Sequence, residues 1–571
     1  MKISIFNILL LAAGIPANAV EFQVSASTGN DANPGTKEQP VASLERARDL
    51  ARAAADHEDV VVILHDGVWR LRKTFELDAR DSGKNGHKMI YAAAPGARPV
   101  ITGSRPIGGW KESPTTPGIY QATAGPALFR QCHVDGAWAQ RARSPYFKVI
   151  GSSEQSGTVT LHQDDWPKAF EKIAPKDLEL AVCVHWRHLL VHCDSHAIGQ
   201  DKQVTITLNA GEKQRSFKPA PPEKGDTCHL QNALELVDQP GEWYHSPASG
   251  QLSYKPLPGQ DISKAQVEVP VLETLIAIRG TREQPVTNLE FRGITLTGTG
   301  WTYPSTHGIY ATQFAQPYGI VTAPASTTQP PPIQKTGVPG ALMASHTAGF
   351  AFRNGTIRLA GGNGLVLRDA QSPEIDNSRI EDIGCNAIEG AGAIVDAAIW
   401  NNEITRCGRD ISNGGGILLR NPTRGAHIEH NHIYDLPYSG MQVGDQPGGE
   451  KDTGTRDNKI RYNHVHHCMQ LHDDGGGIYT LGGQQRGTEI AFNFIHDIKR
   501  SAWANVWPVN GVYLDNHTQF VHTHDNVIRD CTVDAKEQNH SKDNTFERNV
   551  SSSESIEKKA GVLSGYHPRK K

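Results

Sequence analysis

Three aspartates and two tyrosines on neighbouring Gly-rich phrases are the residues of this chain best suited to acid chemistry. Asp473 and Asp474 stand directly before Gly475-Gly476-Gly477-Ile478-Tyr479, and Asp515 directly follows Gly511-Val512-Tyr513-Leu514. Asp445 occupies nearly the position of Asp515, two repeats earlier. Cleaving a glycosidic bond takes two carboxyl groups, one protonated to assist the leaving oxygen and one ionised, about 5 to 9.5 Å apart. That separation is one or two strand spacings of about 4.8 Å. An Asp beside Gly is also the commonest way to make a turn, and for any single Asp that reading is the stronger. Several converging on strands that carry Tyr479 and Tyr513 favour catalysis by Asp474 and Asp515.

The surroundings predict a sugar site. Each repeat has a second strand after a Gly-rich corner, and alternation would place Glu389, Leu418, Gln442, Tyr479 and Tyr513 in one outward row. Aromatic faces with amides and carboxylates suit a sugar, and a solvated sheet face with cross-strand pairs is the plainer alternative. Trp503 and Trp507, in the loop leading to the Asp515 strand, could form a binding wall or cover core at a corner. The expected substrate-binding set is Tyr479, Tyr513, Gln442, Asp445, Glu389, Trp503, Trp507, Asp473 and His472. His464, His466, His467 and His472 cluster before Asp473, but alternation sends His467 to the opposite face from His464 and His466, and no HExxH helix is present. No metal site is assigned and no cofactor is required. Calcium on Asp473, Asp474 or Asp445 is the more plausible ion.

The elements that must position these residues repeat. A short phrase of Asn, Ser or Gly, one variable residue, then Ile or Val recurs at Gly355, Ser378, Asn402, Asn431, Asn463, Asn493 and Asn526, in steps of 23 to 33 residues. A period of that length built from short alternating strands marks a β-solenoid, whose coils stack because none buries its apolar face alone. In-register stacking puts Asp474 and Asp515 at opposite ends of adjacent strands, so the corner must bend for them to meet. The segments expected are a signal peptide at 1–19, an N-terminal cap and first coils at 20–108, a β-rich insertion at 109–269, the main solenoid at 270–550 and a tail at 551–571. Ser43 is placed to cap a helix with Leu44, Ala47, Leu50 and Ala54 on one face, closing the first coil. A Pro-rich loop runs from about Thr302 to Pro339.

A basic start, an apolar run from Ile3 to Gly14 and Ala17-Asn18-Ala19 predict cleavage and export, to the periplasm or beyond, without a membrane span. A net charge of −4, from 57 basic and 61 acidic residues, provides no basic stripe for nucleic acid. Three residues past each repeat Ile or Val stand Ile383, Cys407, Leu436, Cys468, Ile498 and Cys531, an alternating interior stack. Cysteines two coils apart are too distant to bridge, so these three of the eight are expected to be free thiols.

The chain resembles the right-handed parallel β-helix enzymes of the pectate-lyase-like superfamily, and is most similar to glycoside hydrolase family 141. The residues that carry this are Val24 to Thr36, Pro240-Gly241-Glu242-Trp243-Tyr244, His472 to Gly482, and Gly511 to Asp515. The resemblance implies an all-β right-handed parallel β-helix and an exported α-L-fucosidase or xylanase-type activity on complex plant polysaccharide, with Asp474 and Asp515 as the acids. It departs at Asn516-His517, where relatives often place an acidic residue and Gly. Two other readings compete: a polysaccharide lyase, against which a face poor in Lys and Arg (Arg420 excepted) counts, and a carbohydrate-binding or adhesion solenoid without chemistry.

Overall fold

The computed structural model describes residues 19–563, except 56–57, 167–172, 174–177, 200, 219, 318–336 and 446–450. The expected signal peptide and much of the Pro-rich loop fall outside them. The chain forms an all-β right-handed parallel β-helix whose coils each give a strand to three parallel sheets of twelve, ten and twelve strands. The repeat Ile and Val side chains make one continuous interior row: Ile357, Ile380, Ile404, Ile433, Val465, Ile495 and Ile528 are register partners in succession. All seven are buried.

The repeated Asn has a physical cause. Asn463 Oδ1 accepts from the backbone N and the Nδ2 of Asn431, both at 3.0 Å, and Asn463 Nδ2 donates to the Ile428 carbonyl at 2.8 Å. The same pattern links Asn402, Asn431, Asn463, Asn493, Asn526 and Asn549, so the corner's polar groups are satisfied inside a buried stack. The residue before each ladder position lies in the left-handed region, with φ of 56° at His430, 53° at Tyr462 and 56° at Phe492. Bulky residues rarely adopt it. Here the rings stack along the axis, His430 on Tyr462 and Tyr462 on Phe492, both with centroids 5.1 Å apart.

Both ends of the stack are dressed. The helix Leu44–Ala54, with Ser43 Oγ accepting from the Arg46 amide, buries Leu44, Ala47 and Ala51 against the first coil. At the other end the helix Glu554–Lys559 leads into a tail whose described residues double back along the Asn corner. Glu557 pairs with Arg529 at 3.0 Å, the Gly561 amide donates to the Tyr462 carbonyl at 2.7 Å, and the Leu563 amide donates to Asn401 Oδ1 at 2.7 Å.

The chain leaves the solenoid after Ser104–Ile107 and returns at Val267–Pro270, two strands that pair antiparallel. Between them it forms mostly antiparallel sheets with apolar cores of their own. Ile309–Thr312, beyond Thr302, joins this excursion as a strand opposite His188–Leu190. All eight cysteines are free, and the Cys407 and Cys468 thiols donate to the Thr405 and His466 carbonyls, each at 3.6 Å. No helix among the described residues is long and apolar enough to cross a membrane.

Candidate active site

Gly475–Leu481 and Val509–Asp515 are neighbouring strands of the third sheet, with Gly475 opposite Val509, Tyr479 opposite Tyr513 and Leu481 opposite Asp515. The aspartates are thus at opposite ends of the pair, and two phenols close the gap. Asp474 turns back with φ of 53°. Tyr513 lies over the glycine run, where a Cβ on Gly476 would stand 3.3 Å from Tyr513 Cβ. Its hydroxyl donates to Asp474 Oδ1 at 3.1 Å. The Tyr479 hydroxyl donates to Asp515 Oδ2 at 2.6 Å, and the two rings stand 4.9 Å apart. Because the same Cβ would also meet the Asn510 carbonyl oxygen at 2.7 Å, Gly476→Ala is expected to push Tyr513 off Asp474. Turnover should fall at least about tenfold, with a stability loss of about 1–3 kcal/mol in thermal melts.

The two carboxyls have different surroundings. Burial, then the nearby charge of Asp515, pushes the Asp474 carboxyl up to about 7. Burial also raises Asp515, opposed by hydrogen bonds from Tyr479 and Asn539. Asn539 Nδ2 donates to Asp515 Oδ1 at 2.5 Å. One acid therefore keeps its proton up to about neutrality, while the other carries donors on both oxygens that favour its charged form, the division of labour that acid–base chemistry needs.

Asp473 is committed elsewhere. Its Oδ1 bonds His185 Nδ1 at 2.9 Å, and its Oδ2 accepts from the Trp507 amide at 3.0 Å. His185 sits at the tip of an insertion hairpin and its Nε2 bonds Glu223 at 2.6 Å. Burial disfavours the imidazolium, yet the bonds to Asp473 and Glu223 prevail and raise the His185 pKa. Trp507 packs 4.7 Å from His185, and Trp503 packs 5.1 Å from Tyr146 of the insertion. Each indole stays 40% exposed, leaving an aromatic surface beside the acid pair.

Several expected contacts are corrected. Glu389, Leu418, Gln442, Tyr479 and Tyr513 do form one register row. It is buried, not open to solvent, because the segment after Thr302 roofs it: Gln313 Nε2 donates to the Tyr479 hydroxyl at 2.8 Å, and Phe314 packs edge-on to Tyr438. Glu389 lies three register steps from Tyr479 and accepts from Asn363 Nδ2 at 2.6 Å. Gln442 Nε2 donates to the Gly444 carbonyl at 2.9 Å, and Asp445 pairs with Arg420 at 2.7 Å. His472 is buried, donating to the His185 carbonyl at 2.7 Å and bonded to Ser412 Oγ at 2.8 Å, so it braces the hairpin and cannot face a sugar.

The other histidines stack on the second sheet, away from the pair. His432 and His466 meet Nε2 to Nε2 at 2.8 Å, as do His464 and His496, and ring nitrogens of His432, His464 and His466 lie within 4.8 Å of one another. Those three could hold a metal ion. Glu223, Tyr438, Gln313 and Asn539 escaped the sequence reading because they come from the insertion, the corners and the irregular loops, where no period marks them. Tyr438 donates to the Asp474 carbonyl at 2.8 Å.

Comparison with known proteins agrees with the architecture. The family model described as "Right handed beta helix region" matches residues 340–507. A solved structure described as a glycoside hydrolase superposes with a TM-score of 0.85 at 23% identity, covering 96% of this chain and 100% of that one. A structure of XylC with xylose gives 0.47 at 14% identity, over 90% of this chain and 70% of that one. A GH136 lacto-N-biosidase from Eubacterium ramulus gives 0.32 at 10% identity, over 93% and 67%. No curated protein matches the chain. The family model and the structure at a TM-score of 0.85 establish the fold.

Proposed function

We propose that the protein is a glycoside hydrolase in which Asp474 is the general acid and Asp515 the nucleophile or base. The observation that carries this is the phenol-linked carboxyl pair, one member pushed up to about 7 and the other held by donors on both oxygens. Asp474 gives its proton to the glycosidic oxygen as the bond from that oxygen to the anomeric carbon breaks. Asp515 supports the developing positive charge, either by attacking the carbon or by taking a proton from the attacking water. Trp503 and Trp507 offer the flat faces on which sugar rings stack. The closest chemistry we assign is α-L-fucosidic or xylosidic cleavage in a complex plant cell-wall glycan, following the likeness of the Asp474 and Asp515 phrases to glycoside hydrolase family 141; the structural relative described as a glycoside hydrolase supports the broader hydrolase class alone.

The deciding assay is release of reducing sugar from a plant-polysaccharide panel by wild type, Asp474→Asn and Asp515→Asn. An aryl glycoside with an acidic leaving group should restore Asp474→Asn, which lacks only the proton, and leave Asp515→Asn inactive. Full activity in both variants, or a product bearing the absorbance of an unsaturated uronide, ends the proposal.

The pH profile follows from the same pair. Activity rises as Asp515 ionises and falls as Asp474 loses its proton near pH 7. The Tyr513 hydroxyl bond lowers the Asp474 pKa, so Tyr513→Phe is expected to move the alkaline limb of kcat upward. An unmoved limb would dissociate that limb from Asp474.

A further inference from the structure

Where the insertion docks on the solenoid corner there is a cleft of about 380 Å³, within the range of small-molecule pockets. Both walls are cationic: Arg130, Arg141 and Arg143 come from the insertion, Arg406 and Arg409 from a corner of the stack. Some of this charge is answered. Arg130 pairs with Glu179 and Asp410, each at 2.8 Å, Arg141 with Glu179 at 3.3 Å, and Arg406 with Glu381 and Asp382. Asp410 and Asp435 also line the cleft. The geometry nevertheless leaves donors over. Arg130 and Arg141 are 2% and 8% exposed. Arg130 Nη2, both Nε and Nη1 of Arg141, and Arg143 Nη1 are buried without an acceptor. His188 Nε2 and His229 Nδ1, on the same wall, are equally unpartnered. Buried guanidinium N–H groups without acceptors are costly, and an oxyanion such as a carboxylate or a sulfate ester is the group that would satisfy several at once.

Chain connectivity also keeps the cleft close to the acids. Leu471 lines it and stands three residues from Asp474, a backbone reach of at most about 11 Å. Pro437 lines it too, next to the Tyr438 that holds the Asp474 carbonyl. Tyr146 lines it and packs on Trp503.

We propose that this cleft is an anion-reading subsite, binding the carboxylate of a uronic acid residue, or a sulfate ester in the same place, through Arg130, Arg141 and Arg143 of the insertion and Arg409 of the facing wall. The glycan recognised is then acidic. As a substrate subsite it rests on the hydrolase reading above; as a binding site it does not. The expectation that the solenoid face is too poor in cations for an acidic substrate overlooked the insertion, which supplies three of the five arginines.

Calorimetric titration of the full-length Asp474→Asn/Asp515→Asn protein with uronate oligosaccharides, sulfated oligosaccharides and matched neutral ones reads binding without turnover. At least a tenfold preference for one anionic series, weakening with added salt, is expected. Arg143→Gln and Arg409→Gln, each outside the buried Glu179 pairings, should remove that preference while neutral ligands bind as before. Equal affinity for anionic and neutral ligands, or a preference that survives both substitutions, overturns the subsite. Anion binding in a protein that cleaves no glycan would sink the hydrolase and leave the subsite. Hydrolysis of neutral glycans with no anionic preference would do the reverse.

Discussion

Asp515→Asn should lower kcat by about a thousandfold or more on every substrate, and Asp474→Asn by about 10²–10⁴ on natural glycosides, both as folded proteins. Their stabilities should diverge from their activities. Asp474 titrates at about 7 in the fold, against 3.8 in an open chain. Between those values the folded state binds more protons than the unfolded one, so stability falls as pH rises from about 4 to 7 and then levels off. The asparagine variant escapes this penalty. It should melt a few degrees above wild type at pH 8, for a difference on the order of a few kcal/mol, and level with it at pH 4. A variant that melts no higher at pH 8 would show that Asp474 is not held protonated by the fold.

Asn463→Ala should be among the most damaging changes outside the site. It strips an acceptor from the Asn431 amide and side chain and a donor from the Ile428 carbonyl, all in the buried middle of the ladder. Orphaning several such groups costs about 3–5 kcal/mol, read as a drop in the urea midpoint of the solenoid transition. Asn549→Ala, at the half-buried last rung, removes the same kinds of bonds closer to water and should cost less, about 1–2 kcal/mol. Equal effects would mean the ladder does not act through burial.

The stack was readable because its physics is periodic. Ile357 to Ile528 line up since each coil buries the same kind of side chain at the same step, and the Cys407, Cys468 and Cys531 positions follow from that step alone. The row from Glu389 to Tyr513 was likewise correct in register, yet its exposure was misjudged. What covers a solenoid face comes from elsewhere in the chain, here the segment bearing Gln313 and Phe314, and no period announces it. The partners of Asp473 and Asp474 tell the same story: His185 and Tyr513 reach them through a hairpin tip and a glycine gap, features of shape that spacing does not encode.

The returning C-terminal tail has a mechanical corollary. Glu557, Gly561 and Leu563 grip Arg529, Tyr462 and Asn401, points on different coils. Tension applied at the chain's end meets these attachments in series and opens them like a zip, one rung after another. A cargo or anchor fused there would therefore detach the strap under load before any coil beneath it was sheared.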